Sequence, residues 1–300
     1  MANHFVLRSK PTQQGQCLVK GHRLWYAQYG NCQPGHLPLL VVHGGPGFPH
    51  DYLEPLAALI NHGRSVVFYD QIGCGNSEVP QDSSIYSLSL CRQELDAVRN
   101  ALDLNGVHLL GHSAGGCTVL DYMLHQPSGV KSIVLASAIA STPQYCREAR
   151  RLCAALPEPH RTAFKAAEPG SPEYQRAVAA FEFRHCSPFK KAPACLLRSR
   201  AKFGRGPYEA LWGPNEIVAQ GKLRSFNVLE RLHEIPVPAL LTSGQHDEVT
   251  PDCVAALAEN LPQASWALFP NCAHMAHLEE PTQYIDVLQR FLRSVETGRG

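Results

Sequence analysis

The stretch GVHLLGHSAGG, residues 106–116, joins an apolar run to a serine flanked by glycines. Residues 106–110 predict a buried strand, and GGCTVLDYML after the serine has helical spacing. GHSAG fits the pattern G-x-S-x-G, in which a serine at a tight strand-to-helix turn has its hydroxyl exposed above the sheet. The N-terminus of the following helix also favours an oxyanion formed there. We therefore predict that Ser113 is a nucleophile; the alternative is a serine that only caps the helix.

Short apolar runs alternate with longer helical patterns on both sides of this turn. The predicted strands are residues 22–30, 37–44, 65–71, 106–112, 131–138, 237–244 and 265–270. Several are nearly continuous apolar runs, which are typical of strands covered on both faces. This alternation predicts an α/β fold with a mostly parallel sheet and helices on both faces.

The alternation stops between about residues 141 and 218. That segment shows helical patterns separated by Pro and Gly stretches and no clear strand. We therefore predict a helical cap at 141–218, inserted between the first part of the core at 1–140 and the second part at 219–300.

Composition excludes several classes of function. Hydrophobic residues make up 44% of the 300 residues, and the net charge of +1 gives no support to nucleic-acid binding or polybasic membrane binding. The sequence shows no apolar signal core and no run long enough to span a bilayer, so a cytoplasmic location is expected. The 11 cysteines are scattered, which favours free thiols. The HxxH of His274 and His277 is a weak metal pattern, and we predict no metal.

A nucleophilic serine needs a base, and the base needs an acid that orients it. On this kind of fold the expected chain order is serine, acid, histidine. Asp247 lies just past the strand at 237–244, and His274 follows the next strand. His277 remains a rival base. Activity should fall as His274 becomes protonated, near the ordinary histidine pKa of about 6.5.

HGGPG, residues 43–47, directly follows the apolar run LPLLVV. Its glycines and proline force an irregular turn that can aim backbone N–H groups into a pocket. We predict an oxyanion hole made by the N–H groups of Gly45 and Ala114, the residue after the nucleophile. For His43 we prefer a side chain that braces this loop over a catalytic role.

Together these motifs resemble the prolyl aminopeptidase (proline iminopeptidase) family of α/β-hydrolases. The resemblance covers nearly the whole chain and is carried by HGGPG, DQIGCGNS (70–77), GHSAGG, GQHDEVTP (244–251), AHMAHLEEP and, inside the insertion, LWGPNE (211–216). It implies a helical cap over a serine-hydrolase site without a cofactor. Motif by motif, it implies Ser113 as nucleophile, Asp247 as acid and His274 as base.

The resemblance also assigns two further acids. In the family, the acid after the triad aspartate and the acid of the GPxE motif bind the free α-amino group of the substrate; here these are Glu248 and Glu216. A cationic amine that enters a partly dry pocket needs compensating charge, and charge-assisted hydrogen bonds to carboxylates supply it. The alternatives are a solvated surface acid for Glu248 and a helix-start acid for Glu216.

One position departs from the family pattern. The residue after the nucleophile is usually Trp or Tyr in the family, and here it is Ala114, so strict preference for proline does not follow. We predict a serine hydrolase that releases an N-terminal proline or other small residue from peptides or amino-acid amides through an acyl-enzyme. An esterase or amidase for a specialised small molecule is the nearest alternative, and a non-catalytic binding protein is the more distant one.

Overall fold

The computed structural model describes residues 10–298. Within them, one eight-stranded sheet has the strand order β1-β2-β4-β3-β5-β6-β7-β8. The strands are β1 Gln13–Val19, β2 His22–Tyr29, β3 Leu39–Val42, β4 Val66–Tyr69, β5 Val107–His112, β6 Val130–Ala136, β7 Ala239–Gly244 and β8 Ala264–Phe269. The pairs β1–β2 and β2–β4 are antiparallel, and the other pairs are parallel.

The α-helices alternate with the parallel strands or lie in the insertion. They are α1 Leu88–Ala101, α2 Ala114–Met123, α3 Thr142–Ala154, α4 His160–Ala166, α5 Pro172–His185, α6 Ala194–Ala201, α7 Arg205–Leu211, α8 Pro251–Asn260, α9 Ala276–Glu279 and α10 Pro281–Glu296. The 3-10 helices are His50–His62, Ser83–Ile85 and Leu229–Glu234. No helix in the described part of the chain is both long and apolar enough to cross a membrane.

The central strands β3 and β4 are apolar throughout, and helices cover both faces of the sheet. In β3, Leu40 and Val42 belong to the core on one face, while Leu39 and Val41 belong to the core on the other. Successive side chains of a strand point to opposite faces, so an uninterrupted apolar run fits a strand between two helical layers. The predicted fold class, an α/β-hydrolase fold with a mostly parallel sheet, is confirmed.

Helices α3 to α7 all lie between β6 and β7. The chain leaves the core and returns to it at one place, where Thr142 N donates to Phe226 O at 2.8 Å and Val228 N donates to Ala140 O at 2.9 Å. The exact borders of the cap, at 141 and 218, stay a prediction.

Candidate active site

Ser113 lies at the turn between β5 and α2. Its backbone has φ 55° and ψ −125°, a conformation that side-chain-bearing residues rarely adopt and that marks stored strain. A Cβ on Gly115 would lie 2.4 Å from Val42 O, and one on Gly111 would lie 2.6 Å from Gly115 O. The two glycines therefore permit the close backbone approach that the turn requires. The Ser113 side chain lines a cavity of about 270 Å³ between the core and the cap.

The predicted acid and base are in direct contact. Asp247 Oδ1 lies 2.7 Å from His274 Nδ1 and also accepts a hydrogen bond from Val249 N at 2.9 Å. Asp247 is 1% exposed, and its Oδ2 has no hydrogen-bond partner within residues 10–298. A buried carboxylate on Nδ1 fixes the ring and leaves Nε2 for proton transfer. His274 lines the same cavity as Ser113.

The charges around His274 favour its cationic form. Burial lowers the pKa of His274, but the carboxylates of Asp247 and Glu248 outweigh burial and raise the pKa to about 9. Glu248 Oε1 lies 3.5 Å from His274 Nε2. The imidazole is therefore a stronger base than an ordinary histidine, and these charges favour a rate limb above the pH of about 6.5 expected from the sequence.

The two predicted oxyanion donors lie in the HGGPG loop and at the start of α2. Gly45 lines the cavity and has φ 108°, and a Cβ there would lie 2.5 Å from Phe48 N, so only glycine fits this loop. Ala114 begins α2 directly after the serine. In the part of the chain that the structure describes, neither amide donates a hydrogen bond to another group. Both N–H groups are therefore available to an oxyanion.

The remaining histidines near the site are held by local hydrogen bonds. His43 Nε2 accepts from Gln71 N at 2.9 Å, and its Nδ1 donates to Gly44 O at 3.0 Å, so its ring braces the loop. His277 Nε2 lies 3.2 Å from Tyr52 O, and burial lowers its pKa to about 3. His277, the rival base, lies outside the set of residues that line the cavity.

The two predicted amine ligands, Glu248 and Glu216, face the same cavity from the core and the cap. Glu248 is 2% exposed, and its Oε2 accepts hydrogen bonds from Tyr145 Oη at 2.9 Å and Cys186 Sγ at 3.0 Å. Glu216 Oε1 accepts from Tyr208 Oη at 3.0 Å. The structure thus brings together two residues that lie 32 positions apart in sequence.

These acids raise one another's proton affinity. Burial raises the pKa of Glu216, and the nearby carboxylates of Glu248 and Glu182 raise it further. Burial also raises the pKa of Glu248, although His274 and the hydrogen bonds from Cys186 and Tyr145 oppose this effect. Like charges held together in a partly dry site are destabilised until a cation joins them. The cavity therefore favours a positively charged group.

Sequence reasoning missed several residues of the cavity. Glu182 comes from α5, Cys186 directly follows that helix, and Arg200 comes from α6; Tyr145 of α3 lies behind the cavity and donates to Glu248. These residues carry no spacing signal, since only the docking of the cap against the core brings them to Ser113. The sequence FRH, residues 183–185, which also belongs to the family resemblance, ends directly before Cys186 and is the one sequence feature that points to this end of α5.

A buried set of possible metal ligands lies next to the HGGPG loop, and its two acids form ion pairs. His50, Asp51 and Glu54 have ligand atoms within 4.8 Å of one another. Lys202 Nζ lies 2.7 Å from Asp51 Oδ2, and Arg198 pairs with Glu54. These contacts tie α6 to the 3-10 helix at His50–His62, so the acids serve as ion-pair partners.

Comparison with known proteins gives a consistent result. A family model described as the alpha/beta hydrolase fold matches residues 38–281. A proline iminopeptidase of Lactobacillus delbrueckii subsp. lactis is 40% identical, with 86% of this chain and 90% of the relative covered. A proline iminopeptidase of Saccharolobus solfataricus is 35% identical, with 94% and 93% covered.

A solved structure is similar to this one over nearly the whole chain. The crystal structure of the proline iminopeptidase of Mycobacterium smegmatis superposes with a TM-score of 0.90 at 32% identity and covers 96% of this chain and 100% of that one. The similarity therefore includes the cap as well as the core.

Proposed function

The chain belongs to the proline iminopeptidase family of alpha/beta hydrolases, and from that premise we propose that it is a serine aminopeptidase that releases an N-terminal proline or other small residue from a short peptide or amino-acid amide. One observation carries the proposal: Ser113 shares a single cavity with the carboxylates of Glu216 and Glu248. Hydrolysis of a neutral ester does not require two buried acids beside the nucleophile.

The acids bind the substrate through its free α-amino group. A protonated amine placed between Glu216 and Glu248 forms charge-assisted hydrogen bonds, which are roughly twice as strong as neutral ones. It also relieves the repulsion between the two carboxylates. Because the amine is held at a fixed distance from the first carbonyl group, this anchor sets which peptide bond reaches Ser113.

Cleavage then follows the serine-hydrolase route. His274 Nε2 takes the proton of the Ser113 hydroxyl as its oxygen attacks the carbonyl carbon, while Asp247 stabilises the imidazolium. The N–H groups of Gly45 and Ala114 stabilise the oxyanion. His274 gives the proton to the leaving nitrogen, the peptide bond breaks, and an acyl-enzyme remains on Ser113. Water, activated by the same histidine, releases the N-terminal residue.

The substrate amine also prepares the base. In the unliganded site, Glu248 Oε1 lies 3.5 Å from His274 Nε2 and favours its protonation. An amine bound to Glu248 offsets that negative charge, which lowers the pKa of His274 and frees Nε2 to accept the serine proton. Substrates with a free amine therefore activate the enzyme that cleaves them.

A hydrolysis panel tests the proposal. Wild-type enzyme should cleave the arylamides of proline and alanine, and it should act poorly on simple acyl esters without an amine. Ser113→Ala should lower turnover by at least 10³-fold, because nothing else in the site forms the acyl-enzyme, with an unchanged melting temperature. Faster turnover of acyl esters than of amino-acid arylamides would favour the esterase alternative, and turnover within tenfold of wild type in Ser113→Ala would remove Ser113 from the mechanism.

A further inference from the structure

The cavity contains one permanently charged cationic side chain that has no role in the proposed mechanism. Arg200 lines it, together with the carboxylates of Glu182, Glu216 and Glu248. Apart from histidines, Arg200 is the only basic residue among the residues lining this cavity in the described part of the chain. An arginine in a site that attracts amines requires its own explanation, because it opposes the binding of a cation.

Helix α6 and the residue directly after it, Lys202, carry three basic side chains in the stretch RSRAK, and two of them form ion pairs. Arg198 pairs with Glu54, and Lys202 Nζ lies 2.7 Å from Asp51 Oδ2. Within residues 10–298, Arg200 forms no ion pair within 4.0 Å, and its hydrogen bond to Ser187 Oγ is long, at 3.3 Å. The guanidinium of Arg200 is therefore the one on this helix that is free to receive an anion.

Helix α6, which carries Arg200, is held against the core. Ser199, the neighbour of Arg200, is fully buried, and the Ser199 hydroxyl accepts from Tyr52 N and donates to Pro49 O, both at 2.8 Å. These bonds fix α6 to the segment that follows the HGGPG loop. Glu248 is held in the same cavity by Tyr145 and Cys186. The cavity thus carries both carboxylates and a guanidinium, and Ser113 lines it as well.

This combination of charges matches a short peptide zwitterion. We propose that Arg200 binds the C-terminal carboxylate of the leaving residue, so that the preferred substrates are dipeptides with both ends free. The inference rests on the proposed aminopeptidase function and names its substrate class. The cavity of about 270 Å³ is just under the usual range for small-molecule sites, about 300–1,000 Å³, which fits a substrate of two residues.

The chemistry of the two groups supports this assignment. Guanidinium is planar and permanently charged, and it binds carboxylates through two parallel N–H bonds. The positive charge of Arg200 opposes the effect of burial on the pKa of Glu182, yet the two side chains form no ion pair within 4.0 Å. A substrate carboxylate is therefore drawn to Arg200 and repelled by the carboxylates of the cavity, which orients the dipeptide with its amine toward Glu216 and Glu248.

The test compares Pro-Gly with Pro-Gly amide, which share the amine and the scissile bond and have no side chain on the leaving residue. In wild-type enzyme, kcat/KM should be at least about tenfold higher for Pro-Gly, which corresponds to about 1.4 kcal/mol. Arg200→Gln should bring the ratio to within about twofold of one while the rate on the amide stays within twofold. Arg200→Lys should keep part of the preference, because the charge remains.

Arg176→Gln is the matched control, since Arg176 lies on the cap at α5 and pairs at the surface with Glu173. It should keep the wild-type ratio. Equal cleavage of both peptides by wild type, or an unchanged preference in Arg200→Gln, would overturn the inference while leaving the aminopeptidase function intact. Failure of wild-type enzyme to cleave either peptide would contradict the proposed function itself.

Discussion

Two adjacent carboxylates follow β7, and the backbone turns their side chains toward different partners. Asp247 Oδ1 lies 2.7 Å from His274 Nδ1, and Glu248 Oε2 accepts from Tyr145 and Cys186 at the wall of the cavity. Both side chains are nearly inaccessible, so their repulsion is not screened by water. The proposed roles account for this arrangement, because Asp247 would act on the imidazole and Glu248 on the substrate.

Substitution at the two positions should therefore have different kinetic effects. Asp247→Asn should lower kcat by two or more orders of magnitude, because His274 loses the acceptor that fixes its ring. Glu248→Gln should mainly raise KM for substrates with a free amine, by tenfold or more, because a charge-assisted contact is lost. The measurement is steady-state kinetics on a proline arylamide, with Asp252→Asn as the control, since Asp252 is exposed at the start of α8. If the two effects are exchanged, the roles of Asp247 and Glu248 must be exchanged as well.

At this scale, chain order and local motifs were enough to select Ser113, Asp247 and His274. The motif GHSAG and the positions just past two strands are local features, and parallel strands bring their carboxyl ends to one edge of the sheet. Glu182 and Arg200 could not be selected in this way. Their approach to Ser113 depends on the packing of α5 and α6 against the core, which no local pattern encodes.

Helix α5 connects the cap to the site through its last residue. The carbonyl oxygen of His185 accepts from Glu248 N and from His274 N, both at 3.2 Å, and His185 Nδ1 lies 2.8 Å from His246 O. One helix end thus contacts both loops that carry the proposed base and the acids. The position of the cap and the geometry of the site are therefore linked directly.

Helix α10 closes the other end of the fold through a buried ion pair. Arg64 is fully buried and makes two hydrogen bonds to Glu296, at 2.7 and 2.8 Å, and Leu37 N donates to Glu296 at 2.7 Å. Burial raises the pKa of Glu296, but hydrogen bonds from His108, Arg64 and Leu37 outweigh it and hold the pKa well below its usual range. The cluster joins the last helix to the central strands.

Removing the charge of Glu296 should destabilise the protein. We expect Glu296→Gln to lower the free energy of unfolding by about 3 kcal/mol, the lower end of the range for a broken buried pair. The lower end applies because His36, at one edge of the cluster, is partly exposed to solvent. In wild type, this contribution is present above the unfolded pKa of about 4.3 and is lost as the pH falls below it. Urea unfolding measures both effects. Glu173→Gln, at a surface pair, should change stability by less than about 0.5 kcal/mol, and an equal change in the two variants would contradict the account.

Among the elements, the strands formed by apolar runs were predictable, and β1, at one edge of the sheet, was not. β3 to β8 are apolar runs between turn signals, and the sequence marks them clearly. β1, QQGQCLV, is mostly exposed at the edge of the sheet and has few apolar residues, so no hydrophobic periodicity indicates a strand there. Residues 50–62 have helical spacing but fold as a 3-10 helix with Pro55 inside, and this helix packs against α6.

The whole molecule is nearly neutral, but its charges are unevenly distributed. The net charge is +1, whereas the cavity collects the carboxylates of Glu182, Glu216 and Glu248 beside His274. Composition could not indicate this concentration of charge, because it arises only when cap and core meet. Its consequence is a field that favours cations and strengthens the base.

The pH dependence of kcat/KM should report that field. His274 must be neutral to act as a base, and the surrounding carboxylates raise its pKa to about 9, so the acid limb should lie well above pH 6.5. Glu248→Gln removes one of the charges responsible and should move the limb to lower pH. A profile of kcat/KM from pH 5 to 10 tests this, with Asp252→Asn as the control. A wild-type limb at or below pH 6.5, or an unshifted limb in Glu248→Gln, would contradict the proposed environment of His274.

The central claim, that buried carboxylates select the free amine of the substrate, is tested most directly by comparing a proline arylamide with its N-acetyl derivative. Wild-type enzyme should prefer the free amine by about two orders of magnitude in kcat/KM, or about 2.8 kcal/mol, because a blocked substrate leaves Glu216 and Glu248 unpaired. The double variant Glu216→Gln, Glu248→Gln should reduce the preference to about tenfold or less, whereas Glu209→Gln, at an exposed position of the cap, should keep it. Equal cleavage of the two substrates by wild type would contradict the account.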